Sequence, residues 1–134
     1  MTNGASLLQN KKMEAREHVK KYLDEVDFDF HLVDRNWLRE RLGKVYLADV
    51  RMPSDFSECH IPGATNIPLK KLARYVEEFP REKDIVFYCT SGAMSAQAVV
   101  LMRLMGYRAY ALLEGIKGWK AAGFPVEGER RTPG

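Results

Sequence analysis

A cysteine, Cys89, closes the apolar run 85–89, and the chain continues Thr90-Ser91-Gly92-Ala93-Met94-Ser95. Those six residues are small or uncharged, and an apolar helical pattern begins at Ser95. A nucleophilic thiol needs this arrangement. Successive loop N–H groups converge into an anion-binding nest, and a helix start adds about half a positive charge. Both favour thiolate over thiol, which raises the reactive fraction at neutral pH. Gly92 permits the backbone turn that such a cradle requires. Free cysteine is also among the most buried residue types, so an inert core cysteine is the competing reading. The position between strand and helix, with Ser, Gly and Ser behind the thiol, favours the nucleophile.

The elements around this segment must hold it in place. Apolar runs at 45–50, 85–88 and 109–113, with shorter ones at 30–33 and 64–67, read as buried strands. Helical patterns fall between them. Asp34 caps a short helix over 36–42 that Gly43 ends. Pro53 and Ser54 read as breakers after the second strand, and Pro62-Gly63 marks a turn. Pro68 opens a helix with Leu69, Leu72, Val76 and Phe79 on its buried stripe, and Pro80 stops it. A helix over 95–105 is apolar nearly all round, and a last one, 116–122, closes at Gly123 and Pro125. Strands alternating with helices predict an α/β fold: a parallel sheet with helices on both faces. In such sheets ligands sit at the carboxyl ends of the strands, where Cys89 lies.

Residues 6–26 form a separate amphipathic helix. Leu8, Ala15, Val19, Tyr22 and Val26 share one stripe, opposite Lys12, Glu14, Lys20, Lys21, Asp24 and Glu25. Such a stripe must dock, on its own domain or on a partner, which includes homodimer formation through this helix. The domain organisation is therefore an extension over 1–27, one domain over 28–127 and a loose C-terminal tail over 128–134, the polar run that leads into it beginning with the last domain residue, Glu127.

Composition excludes several classes. Leu, Ile, Val and Phe supply 33 of 134 residues and the net charge is only +3, so the chain folds around a real core. Lys and Arg number 21 against 18 Asp and Glu, with the signs mixed along the chain. No basic stripe of the kind that binds nucleic acid appears. Apolar runs reach only five residues, far short of the roughly 20 of a membrane span. Two cysteines, Cys59 and Cys89, make no disulfide framework, no spacing suggests a metal site, and no secretory signal opens the chain. The expected setting is the cytoplasm.

Several motifs now add up. Asp49-Val50-Arg51, Asp55-Phe56, His60-Ile61-Pro62-Gly63-Ala64 and Asn66-Ile67-Pro68-Leu69 resemble the front half of a rhodanese-homology domain. The segment 89–95 resembles its active-site loop, C-x-x-G-x-x-S. Gly106-Tyr107, Glu114-Gly115-Ile116, Trp119 and Ala122-Gly123-Phe124-Pro125-Val126 resemble its back half. The resemblance covers roughly 28–127. It implies a rhodanese-like three-layer α/β/α fold with a five-stranded parallel sheet. It also implies a sulfurtransferase whose Cys89 becomes a persulfide by taking sulfur from thiosulfate or a protein persulfide and passes it to a thiol or other thiophilic acceptor. Neither cofactor nor metal is implied. Residues 90–95 are the expected substrate loop.

This sequence departs from that pattern in places. Family members that handle thiosulfate well often carry Arg directly after the cysteine and again five residues after it; here those positions are Thr90 and Met94. Arg51 is the candidate to compensate at the same sheet edge, with an ion pair to Asp49 or Asp55 as its alternative role. Cys59 replaces a common Gly, and Glu114 the first of two glycines. Cys59 is expected near the amino edge of the sheet, far from Cys89. His60 is expected to bond backbone in its turn, Trp37 and Trp119 to pack in the core, and Lys117 to be a solvated charge. A second reading keeps the fold as a catalytically quiet module for partner binding or sulfur sensing. A cysteine phosphatase is disfavoured, because Ser95 stands where that chemistry needs Arg.

Overall fold

The computed structural model of the chain describes residues 4–128, with side chains from residue 14 onward. From Leu32 the elements run β1 (Leu32–Val33), α2 (Arg35–Arg41), β2 (Tyr46–Asp49), α3 (Pro53–Glu58), β3 (Thr65–Asn66), α4 (Leu72–Tyr75), β4 (Ile85–Tyr88), α5 (Ala93–Leu104), β5 (Ala109–Leu112) and α6 (Gly115–Ala121). All five strands are parallel, in the order β1-β5-β4-β2-β3. The expected three-layer α/β/α sheet is the one observed.

Alternation along β4 divides the core. Ile85, Phe87 and Cys89 face a cluster with Leu72, Ala98, Val99 and Met102 from α4 and α5. Val86 and Tyr88 face the other cluster, with Leu38 of α2 and Ile116 and Trp119 of α6. Successive strand residues point to opposite faces, so both sides of β4 are covered and the strand is apolar throughout.

The chain leaves the adjacent strands β2 and β4 in opposite directions, from β2 outward to β3 and from β4 to β5. A topological switch point therefore lies between their carboxyl ends, where open parallel sheets hold their ligands. The residues leaving those two strands include Arg51 and Cys89.

Several boundaries differ from the sequence reading. Phe30 and His31 take φ of 49° and 62°, which removes them from β1. β2 ends before Pro53 and Ser54, as expected, but these residues also open a helix: Pro53 occupies the first turn of α3, where its missing N–H costs nothing. The helix expected after Pro68 is three short pieces, a 3₁₀ turn at Leu69–Lys71, α4, and a second 3₁₀ turn at Val76–Glu78. α5 starts at Ala93, so Ala93 and Met94 belong to its first turn rather than to the loop. The chain at Glu127 is not loose: it forms an antiparallel bridge with His60. A Cβ on Gly128 would stand 2.8 Å from the Glu58 carbonyl oxygen, so this glycine lies hard against the end of α3. The rest of the expected tail, 129–134, lies outside the described residues.

The chain divides into two units, with the boundary between Phe30 and His31. The first is the single helix α1 (Gly4–Glu25). Leu8 and Lys12, part of its expected faces, have side chains outside the described residues. Among the described residues no helix is long and apolar enough to cross a membrane.

Candidate active site

The cradle around Cys89 is built from the start of α5. The N–H groups of Gly92 and Ser95 donate to Sγ at 3.2 and 3.4 Å. As a thiol, Cys89 donates to the Ser95 Oγ at 3.5 Å, and that hydroxyl donates in turn to the Gly92 carbonyl at 3.1 Å; once the thiol has lost its proton, the hydroxyl can turn to donate to Sγ instead. Burial pushes the thiol pKa up, but the Ser95 hydroxyl and the N–H groups of Ser95, Gly92 and Met94 outweigh it, so the pKa falls below its ordinary value. The negative end state is thus solvated by protein dipoles in place of water. Ser95 is fully buried and Cys89 is 3% exposed, whereas Thr90, Ser91, Ala93 and Met94 are exposed at the rim.

Gly92 makes the turn at φ 127°, which a side chain rarely adopts. From below, the first turn of α6 holds the loop: the N–H of Ile116 donates to the Cys89 carbonyl at 2.9 Å and that of Lys117 to the Thr90 carbonyl at 3.0 Å. Gly115 is required there, because a Cβ would overlap both carbonyls. Glu114 tolerates the left-handed conformation (φ 64°) without being glycine, and its carboxylate accepts from Arg35 at 3.0 Å. Cys59 needs no glycine either: its φ of −163° is extended backbone.

Arg51 has the role of structural partner. Its Nε lies 3.0 and 3.1 Å from the two Asp49 carboxylate oxygens, and its Nη2 lies 2.7 Å from one of them and 2.6 Å from the Cys59 carbonyl. Asp49 is fully buried and Arg51 8% exposed. Burial works against the guanidinium charge, but Asp49 outweighs it and raises the Arg51 pKa. The hydrogen bonds of the Arg51 side chain run through Nε and Nη2.

Beside the cradle lies a cavity of about 270 Å³ lined by Arg51, Asp55, Glu58, Thr90, Lys117 and Lys120, with Cys59 and Ile116 in its wall. It occupies the switch point between β2 and β4. Cys59 is therefore not at the amino edge, as the sequence suggested. After β2 the chain turns at once into α3 and stays at the carboxyl edge until Cys59, and only then returns to β3. Cys59 belongs to the α6-side core cluster and Cys89 to the α5-side cluster, and both thiols are free. Lys117 is exposed, as expected of a solvated charge, and it also lines this cavity. The sequence did not point to Glu58 or Lys120, and it offered Asp55 only as a motif residue and a possible partner of Arg51, not as part of a cavity. The signal was the three-residue spacing within each pair, Asp55–Glu58 and Lys117–Lys120, which puts each pair on one helix face.

His60 bonds as expected: its Nδ1 lies 2.8 Å from the Phe56 carbonyl, and its ring stacks on Phe56 at 3.8 Å. Trp119 is fully buried and donates to the Pro125 carbonyl at 2.8 Å. Trp37 packs on Tyr110 at 5.2 Å.

The model of the rhodanese-like domain family matches residues 34–122. The chain belongs to that family. A sulfurtransferase of Allochromatium vinosum is 35% identical over 98 residues, covering 70% of this chain and 92% of that protein. An HTH-type transcriptional regulator of Mycobacterium tuberculosis is 38% identical over 91 residues, covering 66% of this chain and only 40% of the regulator. Among solved structures, a rhodanese-related protein from Thermoplasma volcanium superposes with a TM-score of 0.71 at 27% identity, covering 74% of this chain and 99% of that one. Rhodanese-like membership agrees with the five-stranded parallel sheet and its helices.

Proposed function

We propose that this rhodanese-like domain is a sulfurtransferase that carries sulfur as a persulfide on Cys89. The observation that carries the reading is the cradle at the start of α5, two N–H donors on Sγ and a buried hydroxyl in contact with it, which favours a thiolate without calling on a general base. The thiolate attacks the sulfane sulfur of a donor. With thiosulfate, the S–S bond breaks, sulfite leaves with the electron pair, and Cys89 becomes Cys–S–S⁻. A thiophilic acceptor such as cyanide or a thiolate then takes the outer sulfur and regenerates the Cys89 thiolate. This is covalent catalysis in two displacements, and N–H groups that stabilise one anionic sulfur also serve the terminal sulfur of the persulfide.

The donor is a small sulfur compound or a protein persulfide. Thr90 and Met94 bring no cation to the rim, and Arg51 is engaged by Asp49. That favours a second reading, a quiet module that senses sulfur or binds a partner, and the similarity to part of a transcriptional regulator agrees with it. Intact-mass measurement after treatment with thiosulfate or an alkyl persulfide, then with cyanide, separates the two. Gain of one sulfur on Cys89 and its loss to cyanide as thiocyanate support transfer; an unchanged mass with every donor, as in Cys89→Ser, overturns it.

A further inference from the structure

Glu114 holds a backbone conformation that its side chain disfavours. It is one of three described residues other than glycine at positive φ, and Gly115 follows it at φ 56°. An L-residue stays in this region only where its surroundings hold it there. Two neighbours do so. The Arg35 Nη1, at the start of α2, donates to the Glu114 carboxylate at 3.0 Å. Gly118 donates its N–H to the Glu114 carbonyl at 3.0 Å and leaves space for the side chain, because a Cβ on Gly118 would stand 2.5 Å from the Glu114 Cβ. The reactive loop rests on this turn. The N–H groups of Ile116 and Lys117, which follow it directly, hold the carbonyls of Cys89 and Thr90. A Cβ on Gly92 would stand 4.0 Å from the Glu114 nitrogen, so the turn of the cradle lies against the same backbone.

We propose that Glu114 is a positioning residue for the Cys89 nucleophile: braced by Arg35 and fitted against Gly118, it locks the left-handed turn on which the reactive loop rests. The carboxylate acts through conformation and not through its charge on the sulfur. Released from Arg35, Glu114 relaxes toward a right-handed conformation. The Ile116 and Lys117 N–H groups then leave the loop carbonyls, and the N–H donors of Gly92 and Ser95 no longer converge on Sγ. The brace rests on the sulfur-transfer reading for its purpose, since what it serves is a thiolate nucleophile. Arg35 and Gly118, both outside the loop 89–95, thereby take part in its chemistry.

The test is the alkylation rate of Cys89 by iodoacetamide against pH, followed by peptide mass in the intact chain. Glu114→Ala and Arg35→Ala each lower the rate on the acid side of the profile by about twofold to fivefold, the range for one exposed ion pair, and move the midpoint to higher pH. Glu114→Gly takes the left-handed conformation without strain and recovers most of the natural rate. In that background Arg35→Ala has no further effect. Gly118→Ala behaves like Glu114→Ala, and Glu114→Gly combined with it relieves the loss, because the colliding Cβ is gone. A midpoint that falls alike in Glu114→Ala and Glu114→Gly marks a direct charge effect and overturns the brace. A midpoint unmoved by Glu114→Ala and Arg35→Ala in folded chains overturns it as well. Failure of every donor to load Cys89, with the midpoint shifting as stated, overturns sulfur transfer and leaves the brace standing. Sulfur loading with an unmoved midpoint does the reverse.

Discussion

The main-chain carbonyl of Cys89 accepts from the N–H of Ile116 at 2.9 Å, which ties the turn bearing the nucleophile to the first turn of α6. The same helix presents Lys117 and Lys120 to the cavity beside Thr90. One short helix therefore supports the reactive loop through its backbone and lines the neighbouring cavity through its side chains. A change at its start is felt in both places.

Ser95→Ala removes the hydroxyl that stabilises the Cys89 thiolate. The hydroxyl is among the groups that hold the Cys89 pKa down against burial, so without it the midpoint of Cys89 alkylation moves to higher pH. In the natural chain the midpoint lies below the ordinary thiol value of about 8.5. A folded value below the unfolded one stabilises the fold above the ordinary value, and that contribution is lost as pH falls through the folded value. The alkylation profile of Cys89 with iodoacetamide, compared between the two chains, checks the shift.

Gly115→Ala forces a methyl group into the Cys89 and Thr90 carbonyls. Overpacking against backbone costs about 1–3 kcal/mol, which is roughly 5–20 °C of Tm in a domain of this size. Thermal unfolding reports the loss, and the Cys89 alkylation midpoint moves up as the loop shifts.

Asp49→Ala leaves the Arg51 guanidinium buried without its counter-charge. Breaking a buried pair from one side costs about 3–5 kcal/mol. Urea unfolding is expected to show a midpoint lowered accordingly, with the double change Asp49→Leu and Arg51→Met less damaging than Asp49→Ala alone.

Thr90→Arg with Met94→Arg places two cations at the exposed rim of the cradle. Discounted for solvent, they lower the KM for thiosulfate by about tenfold. Initial rates of thiocyanate formation are the measurement, and an unchanged KM means that rim charge does not limit anion capture.

Oxidation of the monomer yields no Cys59–Cys89 disulfide. The two side chains belong to core clusters on opposite faces of the sheet, and a bridge needs Cα atoms within about 7 Å with converging side chains. Peptide mapping after mild oxidation checks this, and a crosslinked Cys59–Cys89 peptide refutes the separation.

The cradle was legible because it is local. An apolar strand, a cysteine, small residues with a glycine and a helix start all fall within residues 85–95, and each has its own sequence signature. The parallel sheet was legible from the same alternation of apolar runs. α3 was not, because Pro53 reads equally well as a breaker or as a first-turn residue and Met52 offers no side-chain cap. The truncation of β1 depends on two residues other than glycine at positive φ, which nothing in Phe30 or His31 announces. The cavity was least legible of all. Asp55, Glu58, Lys117 and Lys120 meet only through the strand order, and the sequence placed Cys59 at the wrong edge for the same reason.

The alternation along β4 also sets a rule for how this domain can change in length. Loss or gain of one residue between Ile85 and Tyr88 would rotate everything after it by one position and carry the thiol to the opposite face, away from the start of α5. Insertions and deletions tolerated by a working descendant of this chain should therefore gather in the turns, with β4 kept as a spacer of fixed length.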